Sequence, residues 1–217
     1  MAVEKAHRFQ PREHKWIQRP LLERLVALGE KAQGVMAAYA KLQVFTYAFL
    51  LRMPSEAIVA VAGRKGMQCQ SNSMVYMDGH ELVVELHRRK NKPRGSILRR
   101  CCTCAASKAL CVVHTVAPLL ERCELGERVF PLCTIRNAPD VLRMMLRALN
   151  VADAEGYRCH DFRRGHAQDL ADSGAPLHEI LGAGEWTSPA FLKYLDLHKL
   201  EAKMVVQSVL GESDGEE

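Results

Sequence analysis

Along the chain, apolar positions recur with a helical period, give way to alternation, and then return to the helical period. Residues 1–19 precede this order. They are polar and broken by Pro11, with Pro20 directly after, and read as an arm or the remnant of a linker. Pro20 suits the first turn of a helix to about Gln33, with Leu22, Leu25 and Val26 on one side and Gly34 ending it. A second helix, predicted from Val35 to Arg52, is apolar around most of its circumference, which places it at the centre of the core.

Between Met67 and Arg100 the alternation predicts strands. Asn72–Met77 and Glu81–Arg88 flank Asp78-Gly79, a strong hairpin signal, and Gly95–Arg100 returns as a third strand, so the expected sheet is small, three-stranded and antiparallel. Its last connection, Arg88-Arg89-Lys90-Asn91-Lys92-Pro93-Arg94, is the most basic stretch of the chain. Helices are predicted again at Thr115–Glu124 and at Pro139–Leu149, the latter with Val141, Leu142, Met145, Leu146 and Leu149 facing inward. His160–Asp172 and Pro176–Gly182 are joined by the short turn Ser173-Gly174-Ala175. Ser188 as N-cap and Pro189 open a helix that carries Tyr194, and a last amphipathic helix, Lys199–Leu210, precedes an acidic tail at 211–217. The expected fold class is mainly α with a small antiparallel sheet, in one domain over residues 20–210.

With 217 residues, 48% of them apolar, the chain can bury one sizeable core. Lys and Arg outnumber Asp and Glu by 30 to 25, and the tail from Glu212 holds four of the acids, so the body is more basic than the net +5 implies. That balance suits a polyanionic partner. No run of 18 apolar residues occurs and the N-terminus is charged, so neither a membrane partner nor a secretory leader is expected, and the location reads as intracellular. Eight cysteines then read as reduced thiols or metal ligands rather than a disulfide framework.

The most informative segment is His160-Asp161-Phe162-Arg163-Arg164-Gly165-His166, followed by Leu181-Gly182-Ala183-Gly184-Glu185-Trp186 and then Tyr194. On a helix, His160, Arg163 and Arg164 share one face, and an imidazole beside a guanidinium can grip a phosphate. Arg is suited to this because its planar fork donates two hydrogen bonds to phosphate oxygens.

In this order of motifs the sequence resembles the catalytic domain of the tyrosine recombinases, or phage integrases, over about residues 35–200. The wording Gly184-Glu185-Trp186-Thr187-Ser188-Pro189-Ala190-Phe191-Leu192-Lys193-Tyr194 is most similar to the recombinases of Crypton-type and DIRS-type eukaryotic mobile elements. The resemblance implies that Leu50-Leu51-Arg52-Met53-Pro54-Ser55-Glu56 is the first arginine motif, with one residue more between Arg and Glu than bacterial members usually have. Arg52 would then be a phosphate clamp and Glu56 the carboxylate that orients it. His160 and Arg163 match the second motif, Arg163 being the other clamp. Lys90 matches the strand-turn lysine that protonates the leaving oxygen, with Lys92 as its rival. Trp186 takes the place of a residue that is His in most members, and Tyr194 is the nucleophile.

What the resemblance implies is DNA strand cleavage and rejoining through a 3′-phosphotyrosyl intermediate, serving site-specific recombination or integration of a mobile element, without cofactor or metal. The related type IB topoisomerase activity shares this logic. Double-stranded DNA is the expected partner, with a homo-tetramer assembled on it, and the nucleus the location in a eukaryote. Full members carry an N-terminal DNA-binding domain that fewer than 35 residues leave no room for here, so a partner or a further segment is expected to supply it. The alternative is a catalytically idle DNA-binding module derived from such an enzyme.

Each residue also has a plainer reading. Tyr194 and Trp186 could be core aromatics, Arg52 a cap on the C-terminus of the long helix, and His160 with Arg163 a solvated basic face. Arg164 and His166 have no family role, and the 88–94 loop could be a soluble hairpin tip. Cys102, Cys104, Cys111 and His114, with Cys101 as a substitute, are candidate zinc ligands, but the first gap is a single residue. The favoured reading of this group is small buried cysteines under a helix start, with no bound metal.

Overall fold

The computed structural model describes residues 14–68, 70–89, 92–186, 192 and 194–196. Helix α1 spans Arg19–Lys31 and α2 Val35–Ala48. Tyr39, Ala40, Leu42, Gln43, Val44, Phe45 and Thr46 are all buried, so the later part of α2 is enclosed as its apolar circumference requires, while Val35 and Lys41 stay exposed. Thr46 Oγ1 donates to the Leu42 carbonyl at 2.7 Å and Gln43 Nε2 to Met145 Sδ at 3.5 Å, while the buried Gln43 Oε1 has no hydrogen-bond partner among the described residues.

Helix α2 stops at Ala48, four residues before the expected Arg52. Leu50 takes φ +48, and Met53–Ala57 then forms one π-helical turn. Pro54 disfavours helical geometry in the residue before it, which works against continuation. Packing supplies the rest of the reason. Phe49 and Leu51 are buried in the main core, whereas Leu50 is buried in a second cluster with Ala167, Ala171, Ile180, Trp186 and Leu195. The left-handed Leu50 breaks the helical run between these two clusters. The C-terminus of α2 is capped by Arg100, whose Nε donates to the Ala48 carbonyl at 2.8 Å while its guanidinium lies 5.2 Å from the Phe49 ring centre. The cap proposed for Arg52 therefore belongs to Arg100.

The sheet has four strands, not three, and is mixed: β1 (Val61–Ala62), β2 (Ser73–Asp78), β3 (Glu81–Leu86) and β4 (Ser96–Arg100) lie in that order. Strands β2 to β4 are antiparallel neighbours, as the alternation predicts, while β1 pairs with β2 in parallel. A two-residue strand has no period to read; pairing alone defines it. Val75, Leu82, Val84, Leu86 and Leu98 face the main core, and Met74, Tyr76 and Val83 form a small cluster on the other face.

Helix α3 (Val112–Leu120) begins three residues before the expected Thr115, and α4 is Ala138–Ala148. Helix α5 (Asp161–Asp172) and α6 (Leu177–Gly184) follow, joined by a short turn. Residues 14–18, expected in an arm, run without helix or strand along α5. The Ile17 N–H donates to the Asp161 carbonyl at 3.0 Å, and Ile17 is fully buried. A Cβ on Gly165 would stand 1.8 Å from the Ile17 carbonyl oxygen, so this approach requires glycine. Of the helix expected from Ser188 only residues 192 and 194–196 are described, with 195 and 196 outside any helix, while Lys90 and the helix expected at Lys199–Leu210 lie outside the described residues. Among the described residues, no helix is long and apolar enough to cross a membrane.

Candidate active site

The π-helical turn after α2 sets the base of the site. Arg52 precedes it, and Glu56 within it folds back, accepting from the Arg52 N–H at 2.8 Å and from Arg52 Nη1 at 2.9 Å. Glu56 is 1% exposed, and a buried carboxylate needs cationic partners. The second partner is Arg89, whose Nε and Nη2 both lie 3.3 Å from the Glu56 oxygens. Arg89 also donates to the Leu50 carbonyl at 3.2 Å and to Glu185 Oε2 at 2.7 Å, and Lys92 Nζ closes the group at 2.9 Å from Glu185 Oε1.

Glu185 ends α6 in the left-handed region, φ +52. Burial works to raise its carboxyl, but the hydrogen bonds from Arg89 and Lys92 outweigh it and hold the group below the usual carboxylate range. After it, Trp186 folds back over Gly184, where a Cβ would meet the indole at 2.0 Å. That glycine lets the ring drop into the second core cluster.

Arg163, in the first turn of α5, is 2% exposed. Its Nη1 donates to the Leu50 carbonyl and its Nη2 to the Gly184 carbonyl at 2.6 Å; its buried Nε has no hydrogen-bond acceptor among the described residues. The guanidinium carbon lies 4.8 Å from the Trp186 ring centre and 5.7 Å from that of Tyr194. Burial, reinforced by the charge of Arg89, lowers the Arg163 guanidinium to about 10. A solvated basic face is therefore the wrong description for Arg163.

Above this floor, Tyr194 is half-buried and its hydroxyl lies 2.7 Å from His160 Nε2. The Tyr194 and Trp186 ring centres are 4.9 Å apart, and the Tyr194 carbonyl accepts from Trp16 Nε1 at 2.8 Å, so the segment before α1 helps to hold it. Burial, together with the positive charges of Arg164, Arg163 and Arg52, pushes the His160 imidazole down to about 4. The ring is neutral at physiological pH. With its proton on Nδ1, Nε2 accepts from the tyrosine hydroxyl and is placed to take that proton.

Of the six expected residues, the structure brings five into one continuous group: Arg52, His160, Arg163, Trp186 and Tyr194, linked through Glu56, Arg89 and Glu185. Lys90 lies outside the described residues, and Lys92 is ion-paired to Glu185. Sequence reasoning missed Arg89, placed in a solvent-facing loop, and Trp16, placed in an arm; their loops give no burial signal. Arg164 and His166 stay outside the cluster. Arg164 pairs with Asp161 at 2.7 Å, and His166 stacks on Tyr47 with its Nδ1 2.6 Å from the Tyr47 carbonyl.

The assembly offers an imidazole on a tyrosine hydroxyl, a fixed guanidinium beneath the Tyr194 and Trp186 rings, and a second guanidinium, Arg52, whose side chain is 27% exposed. Such a set can deprotonate a phenol and neutralise an oxyanion. Compared with known protein families and with curated proteins, the chain finds no match in either.

Proposed function

We propose that this chain is the catalytic domain of a tyrosine recombinase that cleaves and rejoins double-stranded DNA through Tyr194. The observation that carries the reading is the 2.7 Å contact between the Tyr194 hydroxyl and a His160 ring held neutral by burial. A tyrosine with an ordinary pKa near 10 is a weak nucleophile at neutral pH. His160 lies within hydrogen-bond reach to accept the proton as the attack proceeds, but a ring lowered to about 4 is a weak base, so guanidinium charge has to supply most of what the attack lacks.

In this scheme the Tyr194 oxygen attacks the scissile phosphorus while its proton passes to His160 Nε2. Arg52 contacts the phosphate, and Arg163 supplies fixed charge as negative charge builds on the phosphoryl oxygens. The bond from phosphorus to the 5′-oxygen breaks, and a lysine of the 88–94 loop protonates the leaving oxygen. The 3′-phosphotyrosyl ester conserves the bond, so a second 5′-hydroxyl reverses the attack without an energy source. Arg163 is buried beneath the Tyr194 and Trp186 rings with both terminal nitrogens on backbone carbonyls, so in this scheme it acts through its charge rather than by contact with the phosphate. Recombination on a DNA-bound tetramer, with an N-terminal half-clamp from another segment or chain, completes the proposal.

The test is to incubate the protein and a Tyr194→Phe variant with nicked and supercoiled DNA at low salt and to seek a covalent adduct after denaturation. An adduct in the parent that vanishes in the variant supports the mechanism. No adduct, with equal DNA binding by both proteins, overturns it in favour of an idle DNA-binding module.

A further inference from the structure

The connection from β4 to α3 holds a second chemical cluster, distant in role from the tyrosine. Cys102 and Cys104 follow β4 directly, Cys111 is the N-cap of α3, and His114 lies in that helix's first turn. Their ligand atoms all lie within 4.8 Å of one another. His114 Nδ1 is 3.6 Å from Cys102 Sγ, 3.2 Å from Cys104 Sγ and 3.3 Å from Cys111 Sγ, and the Cys102 and Cys111 sulfurs are 3.7 Å apart.

Hydrogen bonding does not account for this arrangement. One ring nitrogen carries at most one proton or one lone pair, so it satisfies one thiol, yet three sulfurs converge on it. Hydrophobic burial does not account for it either, because Cys102 is exposed and Cys104 only half-buried; of the three cysteines only Cys111 is buried. This corrects the reading of the group as buried cysteines under a helix start. Side chains that gain little from burial nevertheless point at a common centre.

The geometry points to a structural Cys3His zinc site formed by Cys102, Cys104, Cys111 and His114. Bonds of about 2.3 Å to sulfur and about 2.0–2.1 Å to nitrogen, arranged tetrahedrally, put ligand sulfurs about 3.8 Å apart and sulfur and nitrogen about 3.5 Å apart. The distances from His114 Nδ1 to the three sulfurs and between the Cys102 and Cys111 sulfurs fall around those values. Four protein ligands close the coordination sphere, which makes the ion structural rather than catalytic. The Thr103 N–H, 3.4 Å from Cys111 Sγ, is the backbone donor that a charged thiolate uses. Cys101 is excluded as a ligand, since its sulfur turns away to Glu81 Oε1 at 3.5 Å. The single-residue gap between Cys102 and Cys104 does not prevent convergence, since both sulfurs lie within 3.6 Å of His114 Nδ1. The ion would pin the end of the sheet to the start of α3, and the site is independent of the reading of Tyr194.

The experiment is metal analysis of the full chain purified under reducing conditions without chelator, followed by cobalt substitution. The expected result is one zinc per chain, and on replacement the visible absorption of tetrahedral cobalt with sulfur-to-metal charge transfer. Cys101→Ser should keep the full equivalent, whereas Cys102→Ser and His114→Ala should lose most of it. If those variants fail to fold, alkylation of the native parent decides: Cys102, Cys104 and Cys111 should be protected until a chelator is added, while exposed Cys101 reacts at once. No metal and no cobalt absorption in the folded parent overturns the site. So does equal metal loss in Cys101→Ser, or a disulfide among the three cysteines.

Discussion

Arginine meets carboxylate in two parts of this molecule, with the same chemistry in opposite surroundings. On the hairpin, Arg99 Nη1 lies 3.0 Å from both Asp78 and Glu81, and Lys65 joins at 3.2 Å; all four side chains are at least 30% exposed. Beneath α6, Arg89 meets Glu56 and Glu185 with exposures of 3%, 1% and 8%. Water and salt screen the first group, and its members can separate without leaving an unsolvated charge. The second cannot be opened at one point. Each buried charge depends on its partners, so the network specifies one arrangement of the 88–94 loop, the π-helical turn and the end of α6. Burial, not the number of ion pairs, turns charge into architecture.

That contrast is open to breakage in order of effect. Glu56→Ala should be the most damaging change, because it leaves Arg52 and Arg89 facing each other without their shared carboxylate; denaturant unfolding should show a loss of about 3–5 kcal/mol. A smaller loss would mean that water enters the network and that the two regions differ less than their exposures imply.

Acid should come next. His160 is neutral in the folded chain down to about pH 4, whereas the unfolded chain protonates near 6.5, so between these values the unfolded state binds the extra proton. The stability this group contributes is complete above about 6.5 and is lost as pH falls to about 4, by up to about 3 kcal/mol. His166, also lowered to about 4 by burial, adds a loss in the same window. Unfolding midpoints of the parent and His160→Gln across that range should converge toward low pH. Parallel curves would show that His160 is more hydrated than its position implies.

Gly165→Ala tests whether the segment before α1 holds the site together. A Cβ there would press on the Ile17 backbone, and overpacking of this kind costs about 1–3 kcal/mol. The expected outcome is a lower unfolding midpoint and greater protease sensitivity near Trp16. At the small end, Arg99→Ala should leave the unfolding midpoint unchanged in moderate salt. A clear drop would remove the distinction between the two networks.

The hairpin about Asp78-Gly79 and the helices around Val141 and Phe162 follow from periods visible in the chain, and the central helix from a run that is apolar around most of its circumference. The β1 strand does not, since two residues show no period, and neither does the end of α2, where Leu50 and Leu51 part into separate cores. The site divides along the same line. His160, Arg163 and Tyr194 were legible through the motif order that the resemblance uses. Arg89 was not, because a basic loop reads alike whether its arginine faces water or Glu56.

Residue types and their order determined the mainly helical fold with an antiparallel hairpin, the basic balance, and the candidate nucleophile, base and clamps. Tertiary structure alone decided which charges are buried, which carbonyls Arg163 engages, and that His114 Nδ1 and three cysteine sulfurs share one centre. The physical reason is range. A helical or alternating period is set by neighbours a few residues apart, whereas Arg89 and Glu185, or Trp16 and Tyr194, meet only after the chain has closed on itself.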